Sequence, residues 1–466
     1  MGVSPIRNRE ATLLRGMLLA AAVRTGETPV PLERGMTYRI LHYLVVAFYV
    51  AAPVVAIVGD AVRSIRARRG APSSGFVSTL AAAVVLGTAL ALVYAIGIGG
   101  HVRLGQIFLC IYFAGGLLLL LKGFDWLVTR GASLAMRGWL HDERLLRRRA
   151  AMAGVALARI ALLLGIGLPY VMAAVMTYRP KVVPRDDPKS QLGFGFERVS
   201  FESTDGMRIA GWWIPAIEPS RPQSPRLPRR NPPSDFGTKT VIVCHGLAAN
   251  KSNQLVLARD LVRGGYNVLI FDFRAHGESD GQLTSLGDLE RQDVLGAVQW
   301  LRANRPEQSR RIFGVGASLG AAALVAAAAD QSDEGHAIEA VAVYGTYDDL
   351  RLLARDIGHD RFWPPFDLVL PTLGLRIAGA QVGSDLVSFR PADAVARLWP
   401  RPILIIHGQR DTVIPFDRGE HLYRAALHPK HNYWLPEGDH NRIVNDDDAA
   451  AIVKAFFDSA RPRQLL

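Results

Sequence analysis

The chain has 466 residues, of which 49% are apolar and 21% charged, and its mean hydropathy is +0.14. A positive mean over this length indicates that part of the chain lies in lipid, and the composition excludes intrinsic disorder, collagen-like repeats and small disulfide scaffolds. Residues 1–190 carry 23 Lys or Arg against 9 Asp or Glu, a net charge of +14, whereas residues 191–466 carry 31 against 33, a net charge of −2. The basic residues lie between apolar runs, as in loops beside anionic lipid headgroups, so we expect a bilayer and no nucleic acid as the partner.

Four apolar runs follow an N-terminal tail of residues 1–39, and they cover residues 40–59, 77–99, 104–121 and 150–176. About 20 helical residues with a rise of about 1.5 Å each cross the roughly 30 Å core of a bilayer. The fourth run contains Arg159, so we expect its lipid-embedded part to begin at Ile160, with the guanidinium at the interface. The sequence therefore predicts an all-α transmembrane region over residues 40–180 and an integral, multi-pass membrane protein.

Four spans would place both chain ends on one side of the membrane. The loops 60–76 and 122–149 carry 4 and 7 basic residues, and the segments beside the spans on the other side carry 7. Since basic loops favour the cytoplasm, this difference favours an extracytoplasmic C-terminal domain. The tail contributes four more arginines, Arg7, Arg9, Arg15 and Arg24, and counting them makes the two sides equal. The sequence therefore favours an extracytoplasmic C-terminal domain only when the basic residues beside the spans alone are counted.

From residue 181 onwards short β-branched runs alternate with amphipathic helical stretches, a pattern typical of a mostly parallel sheet flanked by helices. Residues 216–237 are rich in proline and predict a solvated insertion, and residues 345–401 predict a cap or lid because so long a connection is usually functional. We expect a hairpin at 196–202 and 207–215, strands at 240–244, 268–273, 311–315, 338–344, 403–407 and 431–435, and helices near 254–263, 286–303, 321–329 and 447–459.

The motif Gly-Ala-Ser-Leu-Gly at 316–320 lies between a predicted strand and a predicted helix. A sharp turn at this junction exposes the serine hydroxyl, and the flanking glycines avoid a clash with neighbouring backbone. Ser318 is therefore the candidate nucleophile. A glycine-rich turn with an incidental serine would also explain this motif. A catalytic serine additionally requires a general base elsewhere in the chain.

His440 is the candidate base, because it follows the last predicted strand in a loop that can reach over the sheet edge. Asp411, which follows the strand 403–407, is the candidate acid that orients the imidazole and stabilises its protonated form. A tetrahedral intermediate also needs two N–H donors. The donors that we expect are the backbone N–H of Leu319, after the nucleophile, and that of Leu247, in the loop after strand 240–244.

These motifs occur in one order: His-Gly at 245–246, FDFRAHGESDG at 271–281, GASLG at 316–320, HGQRDTVIP at 407–415 and GDHN at 438–441. Together they resemble the α/β-hydrolase superfamily, in its serine-aminopeptidase-like and dienelactone-hydrolase-like branch, over about residues 190–466. The resemblance implies an α/β-hydrolase fold, Ser318 as nucleophile with Asp411 and His440 as partners, and Leu247 and Leu319 as oxyanion donors. It also implies that the segment 271–281 is a structural turn. It says nothing of the proline-rich insertion or of the apolar runs.

The favoured function is a membrane-anchored serine hydrolase that cleaves an acyl ester, thioester or amide through an acyl-enzyme. The substrate would be a small molecule, a lipid, or an acylated or peptide substrate. An inactive hydrolase fold used as a membrane scaffold, or an acyltransferase with the same triad, are the alternatives. The chain contains two cysteines, Cys110 and Cys244, and no HExxH motif, so we expect no metal site and no cofactor. The oligomeric state is left open.

Overall fold

The computed structural model describes residues 154, 157–158, 161, 163–178, 181–217, 235–440 and 447–460. The predicted spans 40–59, 77–99 and 104–121, the first part of the fourth run and most of the proline-rich insertion lie outside the described residues. In the described part, no helix is both long and apolar enough to span a bilayer. The chain divides into two compact units, Met1–Arg159 and Ile160–Leu466, and the second unit is described below.

An eight-stranded sheet forms the centre of the second unit, in the order β1-β2-β4-β3-β5-β6-β7-β8. The first two strands are an antiparallel hairpin, and β2 also pairs antiparallel with β4, whereas every pair from β4 to β8 is parallel. The predicted, mostly parallel sheet is thereby confirmed. The strands are β1 (Glu197–Glu202), β2 (Arg208–Ile214), β3 (Lys239–Cys244), β4 (Asn267–Phe271), β5 (Arg311–Ala317), β6 (Ile338–Tyr344), β7 (Ile403–Gly408) and β8 (Lys430–Leu435).

Helices cover both faces of the sheet. A π-helical turn, Leu163–Gly167, precedes α1, and 3₁₀ turns lie at Lys251–Gln254 and Ala396–Leu398. The α-helices are α1 (Leu168–Thr177), α2 (Pro188–Leu192), α3 (Leu255–Arg263), α4 (Glu290–Asn304), α5 (Leu319–Ala328), α6 (Asp333–Ala337), α7 (Leu350–His359), α8 (Phe366–Val382), α9 (Pro391–Val395), α10 (Phe416–Ala425) and α11 (Asp447–Ser459).

The alternation of side chains along β3 shows how the two layers form. Ile242 and Cys244 pack into a core with α4 and α5, while Val241 and Val243 pack on the other face against α3 and α11. Successive strand residues point to opposite faces, so a strand that is buried on both faces is apolar throughout. This is why the apolar runs of β3 and its neighbours form the middle of the sheet.

The helix α4 begins four residues later than the sequence predicts. The buried carboxylate of Glu290 accepts hydrogen bonds from the Thr284 hydroxyl at 2.6 Å and from the backbone N–H groups of Ser285 and Gly287 at 3.0 and 2.8 Å. Residues 284–289 wrap around this carboxylate instead of continuing the helix, and Leu286 adopts a positive φ of 59°. The apolar spacing does not reveal this arrangement.

The segment that the sequence predicts as a lid contains three helices, α7, α8 and α9. Leu350, Leu353 and Leu375 of this cap share an apolar cluster with Leu247 and Ile414, which lie at the carboxyl edge of the sheet. The cap therefore covers the edge at which the predicted site residues lie.

The described part of the fourth predicted span is helical, as expected, but it also packs on the cap. Ala173 of α1 is fully buried, and Met172 lies against Gly374 of α8. The Thr177 hydroxyl, at the end of α1, donates to the Gln381 side chain at 3.3 Å. The α1 helix is therefore part of the packed unit over at least this length.

Candidate active site

The turn between β5 and α5 has the geometry that exposes a nucleophile. Ser318 adopts φ 52° and ψ −118° directly before the first residue of α5. A Cβ on Gly316 would lie 2.7 Å from the Gly320 carbonyl oxygen, and one on Gly320 would clash with the His245 carbonyl oxygen. Both glycines are therefore required for the turn to close. The N-terminus of α5 behind Ser318 also favours negative charge at this position.

Two backbone donors lie beside Ser318. Gly246 approaches so closely that a Cβ there would lie 3.4 Å from the Ser318 Cβ, which places the loop after β3 next to the turn. Within the described residues, neither the Leu247 N–H nor the Leu319 N–H donates to a protein acceptor. Unused donors at such a junction are the requirement for an oxyanion hole.

The loops after β7 and β8 bring Asp411 and His440 together. The Asp411 Oδ2 lies 2.7 Å from the His440 Nδ1, and the Oδ1 accepts from the backbone N–H groups of Val413 and Ile414 at 2.8 and 2.9 Å. The Asp411 carboxylate is fully buried, whereas 16% of the His440 side chain is exposed. Because the carboxylate accepts, Nδ1 carries the proton, and Nε2 is left as the basic nitrogen.

The loop after β6 lies between the serine and this pair. Ser318 donates its backbone N–H to the Tyr344 carbonyl at 2.9 Å. The next residue, Gly345, has φ 47°, and a Cβ there would lie 3.3 Å from the His440 Nδ1 and 3.4 Å from the Asp411 Oδ2. All five predicted site residues thus follow the carboxyl ends of β3, β5, β7 and β8, at one edge of the sheet. In the part of the chain that the structure describes, no hydrogen bond joins the Ser318 hydroxyl to the His440 ring.

Sequence reasoning missed the side chains that hold the loop after β3. His245 is fully buried; its Nδ1 donates to the Gly246 carbonyl at 2.8 Å, and its Nε2 accepts from the Phe273 N–H at 3.0 Å. Burial lowers the pKa of His245 to about 3, so the ring is neutral and can both donate and accept. The His-Gly pair at 245–246 was the signal for this role of His245 in the sequence. The hydrogen bond to Phe273 could not be predicted, because the two residues are distant in sequence.

A buried ion pair fixes the other end of the same loop. The Lys251 ammonium contacts the Asp272 carboxylate, and neither side chain is exposed. The Asp272 Oδ1 also accepts from the Lys251 backbone N–H, and its Oδ2 accepts from the Glu278 N–H, both at 2.8 Å. The Lys251 ammonium lies 4.9 Å from the Trp212 ring centroid and 2.6 Å from the Glu278 carboxylate. The loop 245–251 is thereby tied to the turn 272–278.

The segment 271–281 makes structural contacts, in keeping with its predicted role as a turn. The buried Arg274 forms ion pairs with Asp205 and Asp293, at 2.7 and 2.6 Å. Ser279 accepts from the Ala210 N–H at 2.8 Å, which fastens the turn to β2. These side chains hold neighbouring elements together.

Cys244 also takes no part in the predicted acyl transfer. It is completely buried, and burial raises the pKa of its thiol, so it is a small apolar side chain under the site. Among the described residues, no cluster of His, Cys, Asp and Glu could hold a metal ion.

The chain is similar to a known family and to several known proteins. The family model for serine aminopeptidase, S33, matches residues 237–357. The Escherichia coli O157:H7 protein YfhR is 29% identical over 250 residues, which are 54% of this chain and 75% of YfhR. Human ABHD12B is 25% identical over 231 residues, 47% of this chain and 61% of that protein. The solved structure of a Pyrococcus furiosus esterase covers 62% of this chain and 99% of its own, with 24% identity and a TM-score of 0.48.

The second unit has an α/β-hydrolase-type fold. The parallel sheet with its antiparallel first hairpin and the matched family model both support this assignment. The same match supports hydrolase activity in the broad sense. In the α/β-hydrolase domain, the match spans β3 to α7 and therefore includes Leu247, Ser318 and Leu319, while Asp411 and His440 lie beyond it.

The Lys251–Asp272 pair predicts an asymmetric response to mutation. Lys251→Met leaves the Asp272 carboxylate buried without its partner, and we expect it to lower the free energy of unfolding by about 3–5 kcal/mol. The control is Lys454→Met, which removes a surface pair with Asp458 and should cost less than about 1 kcal/mol. Urea unfolding of both variants measures the difference, and equal effects would contradict the structural role of Lys251.

Proposed function

We propose that the chain is a membrane-anchored serine hydrolase that cleaves acyl esters through an acyl-enzyme. The observation that carries the proposal is the Asp411–His440 hydrogen bond at the sheet edge where Ser318 and two unused N–H donors also lie. An aspartate, an imidazole and a serine in this arrangement are the groups that acyl transfer requires.

The reaction would begin with attack of the Ser318 Oγ on the substrate carbonyl carbon, while the His440 Nε2 accepts the hydroxyl proton. The oxyanion would accept hydrogen bonds from the N–H groups of Leu247 and Leu319. The protonated imidazole then gives its proton to the leaving alcohol, and the ester bond breaks. Water attacks the acyl-enzyme with His440 as base, which releases the acid and restores the serine.

The hydrogen bond between Ser318 and His440 would form when substrate binds. Catalytic hydrogen bonds are often long or absent in a ligand-free site. A change of serine rotamer moves the hydroxyl oxygen by about 2 Å. The buried carboxylate of Asp411 holds the imidazole in place for this step.

The walls of the site favour an acyl substrate. Leu247 follows β3 beside the Ser318 turn, and Ile414 donates its N–H to Asp411. Both residues belong to one apolar cluster with Leu350 and Leu375 of the cap. A hydrocarbon chain gains about 25 cal/mol for each Å² of apolar surface that it buries in such a site. Acyl esters and thioesters therefore fit these walls better than a charged peptide N-terminus, although the chemistry of peptide cleavage is the same. Transfer to an acceptor other than water would use the same residues.

The first prediction of this proposal concerns the nucleophile. A fluorophosphonate probe should label the wild-type chain in membranes and should spare Ser318→Ala, because only an activated serine reacts with the probe. Cys244→Ala is the matched control and should still be labelled, since that thiol is buried beneath the site. A folded wild-type chain that stays unlabelled would favour the alternative of an inactive scaffold.

The second prediction concerns the acid. Asp411→Asn keeps the size of the side chain but cannot hold the imidazole in the required tautomer, so turnover should fall about 10⁴-fold. Circular dichroism and the thermal midpoint check that the variant is folded. Unchanged turnover would show that another carboxylate orients His440.

The third prediction concerns the membrane. We propose that the four apolar runs between residues 40 and 176 cross the bilayer, the fourth with the residues that precede α1, and that the α/β-hydrolase domain is extracytoplasmic, as the basic residues directly beside the spans favour. Alkaline phosphatase fused to the C-terminus should then be active in a bacterial host, and a fluorescent protein that folds only in the cytoplasm should be dark. The opposite pair of results would place the domain in the cytoplasm.

A further inference from the structure

The cap carries a cluster of exposed, large apolar side chains where α7 gives way to α8. Trp363 is 87% exposed, Phe366 43%, Leu368 51% and Val369 49%. Single exposed apolar residues are common, but several large ones side by side on a packed domain mark an interaction surface. We call these four residues the cap tip.

The helix α1 runs in the same direction as α8, and its beginning lies beside the cap tip. Met172 near the start of α1 contacts Gly374, and Thr177 at its end forms a hydrogen bond with Gln381. The two helices are therefore parallel. The π-helical turn before α1 also contacts α8, and its Ile166 is 58% exposed. The end of α1 at which the chain enters from residue 162 is therefore the end that carries the cap tip.

The position of the cap tip beside the start of α1 indicates what contacts it. Toward the N-terminus, the chain continues from α1 into residues 150–167, the first part of the apolar run 150–176 that the sequence predicts to cross the bilayer. A bilayer on that side of α1 would meet the cap tip, since both lie at the same end of the α1–α8 pair. Tryptophan and phenylalanine beside leucine and valine are the residues that enter the headgroup and upper acyl region of a membrane.

We propose that the cap tip inserts into the interfacial layer of a lipid bilayer. The proposal rests on the membrane anchoring that is part of the proposed function, and it adds where the α/β-hydrolase domain touches the lipid. Leu353 and Leu375 of the cap pack toward Leu247, so the cap extends from the membrane surface to the site. An acyl ester that resides in the bilayer is then a better substrate than a soluble one.

A depth measurement tests the contact directly. The full chain with Cys110→Ser and Trp363→Cys is labelled with an environment-sensitive dye and reconstituted in phosphatidylcholine–phosphatidylglycerol vesicles with brominated acyl chains. Cys244 is buried and does not compete for the dye. The matched control is a cysteine at Trp399, which is 62% exposed and precedes β7 at the opposite, amino edge of the sheet.

The dye at 363 should shift to the blue and be quenched by the brominated lipid, and the dye at 399 should do neither. Equal quenching at both positions, or none at 363, would overturn the proposal. A blue shift at 363 without quenching, together with cross-links between chains, would also overturn it, because a second copy of the chain would then cover the cap tip.

An activity measurement follows from the same contact. Trp363→Ser with Phe366→Ser should reduce hydrolysis of a long-chain ester in vesicles by at least about fivefold and should leave hydrolysis of a soluble short-chain ester within about twofold. The control pair, Trp399→Ser with Leu427→Ser, removes a similar exposed apolar area at the amino edge and should change neither rate. Equal losses on both substrates would contradict the role of the cap tip. If the wild type hydrolyses neither ester, the proposed function fails, while the quenching result still decides the membrane contact.

Discussion

The buried carboxylate of Asp411 is the interaction on which the site depends. A charge at this depth is stable only when hydrogen bonds replace the lost water, and Asp411 accepts from two backbone N–H groups and from His440. The two backbone bonds fix the loop after β7, and the third fixes the imidazole. Because β5, β6 and β7 are neighbours in the sheet, the same edge also carries Ser318 and Gly345.

The loop after β3 is likewise held in place by buried groups. Leu247 presents its N–H to the site, while the neutral ring of His245 and the Lys251–Asp272 pair hold the loop from beneath. An oxyanion hole stabilises a transition state only if its donors are already in position, and these buried contacts supply that rigidity. The cap adds an apolar cluster at this edge of the sheet, and under the proposed function this cluster would surround the acyl chain.

The sequence was sufficient for the sheet and for the turn that carries Ser318. The apolar runs of β3 to β7 and the Gly-x-Ser-x-Gly turn at 316–320 are local signals, and the structure has strands and a turn there. It was insufficient where distant residues decide the conformation: Glu290 holds residues 284–287 and delays α4, and Lys251 pairs with a residue 21 positions away. The cap was predicted from the length of the connection 345–401, and no helix was predicted in it. Pro364 and Pro365 lie between α7 and α8, and Pro371 is accommodated inside α8 where Gly358 of α7 leaves room for its ring.

The proposed mechanism requires that Ser318, His440 and the two N–H donors converge on one carbonyl. An experimental structure of the full chain after reaction with a phosphonate inhibitor tests it most directly. The phosphorus should be bonded to the Ser318 Oγ, with its free oxygen about 2.7–3.1 Å from the N atoms of Leu247 and Leu319 and with the His440 Nε2 facing the bonded oxygen. An adduct on another residue, or a phosphonyl oxygen that points away from both donors, would contradict the mechanism.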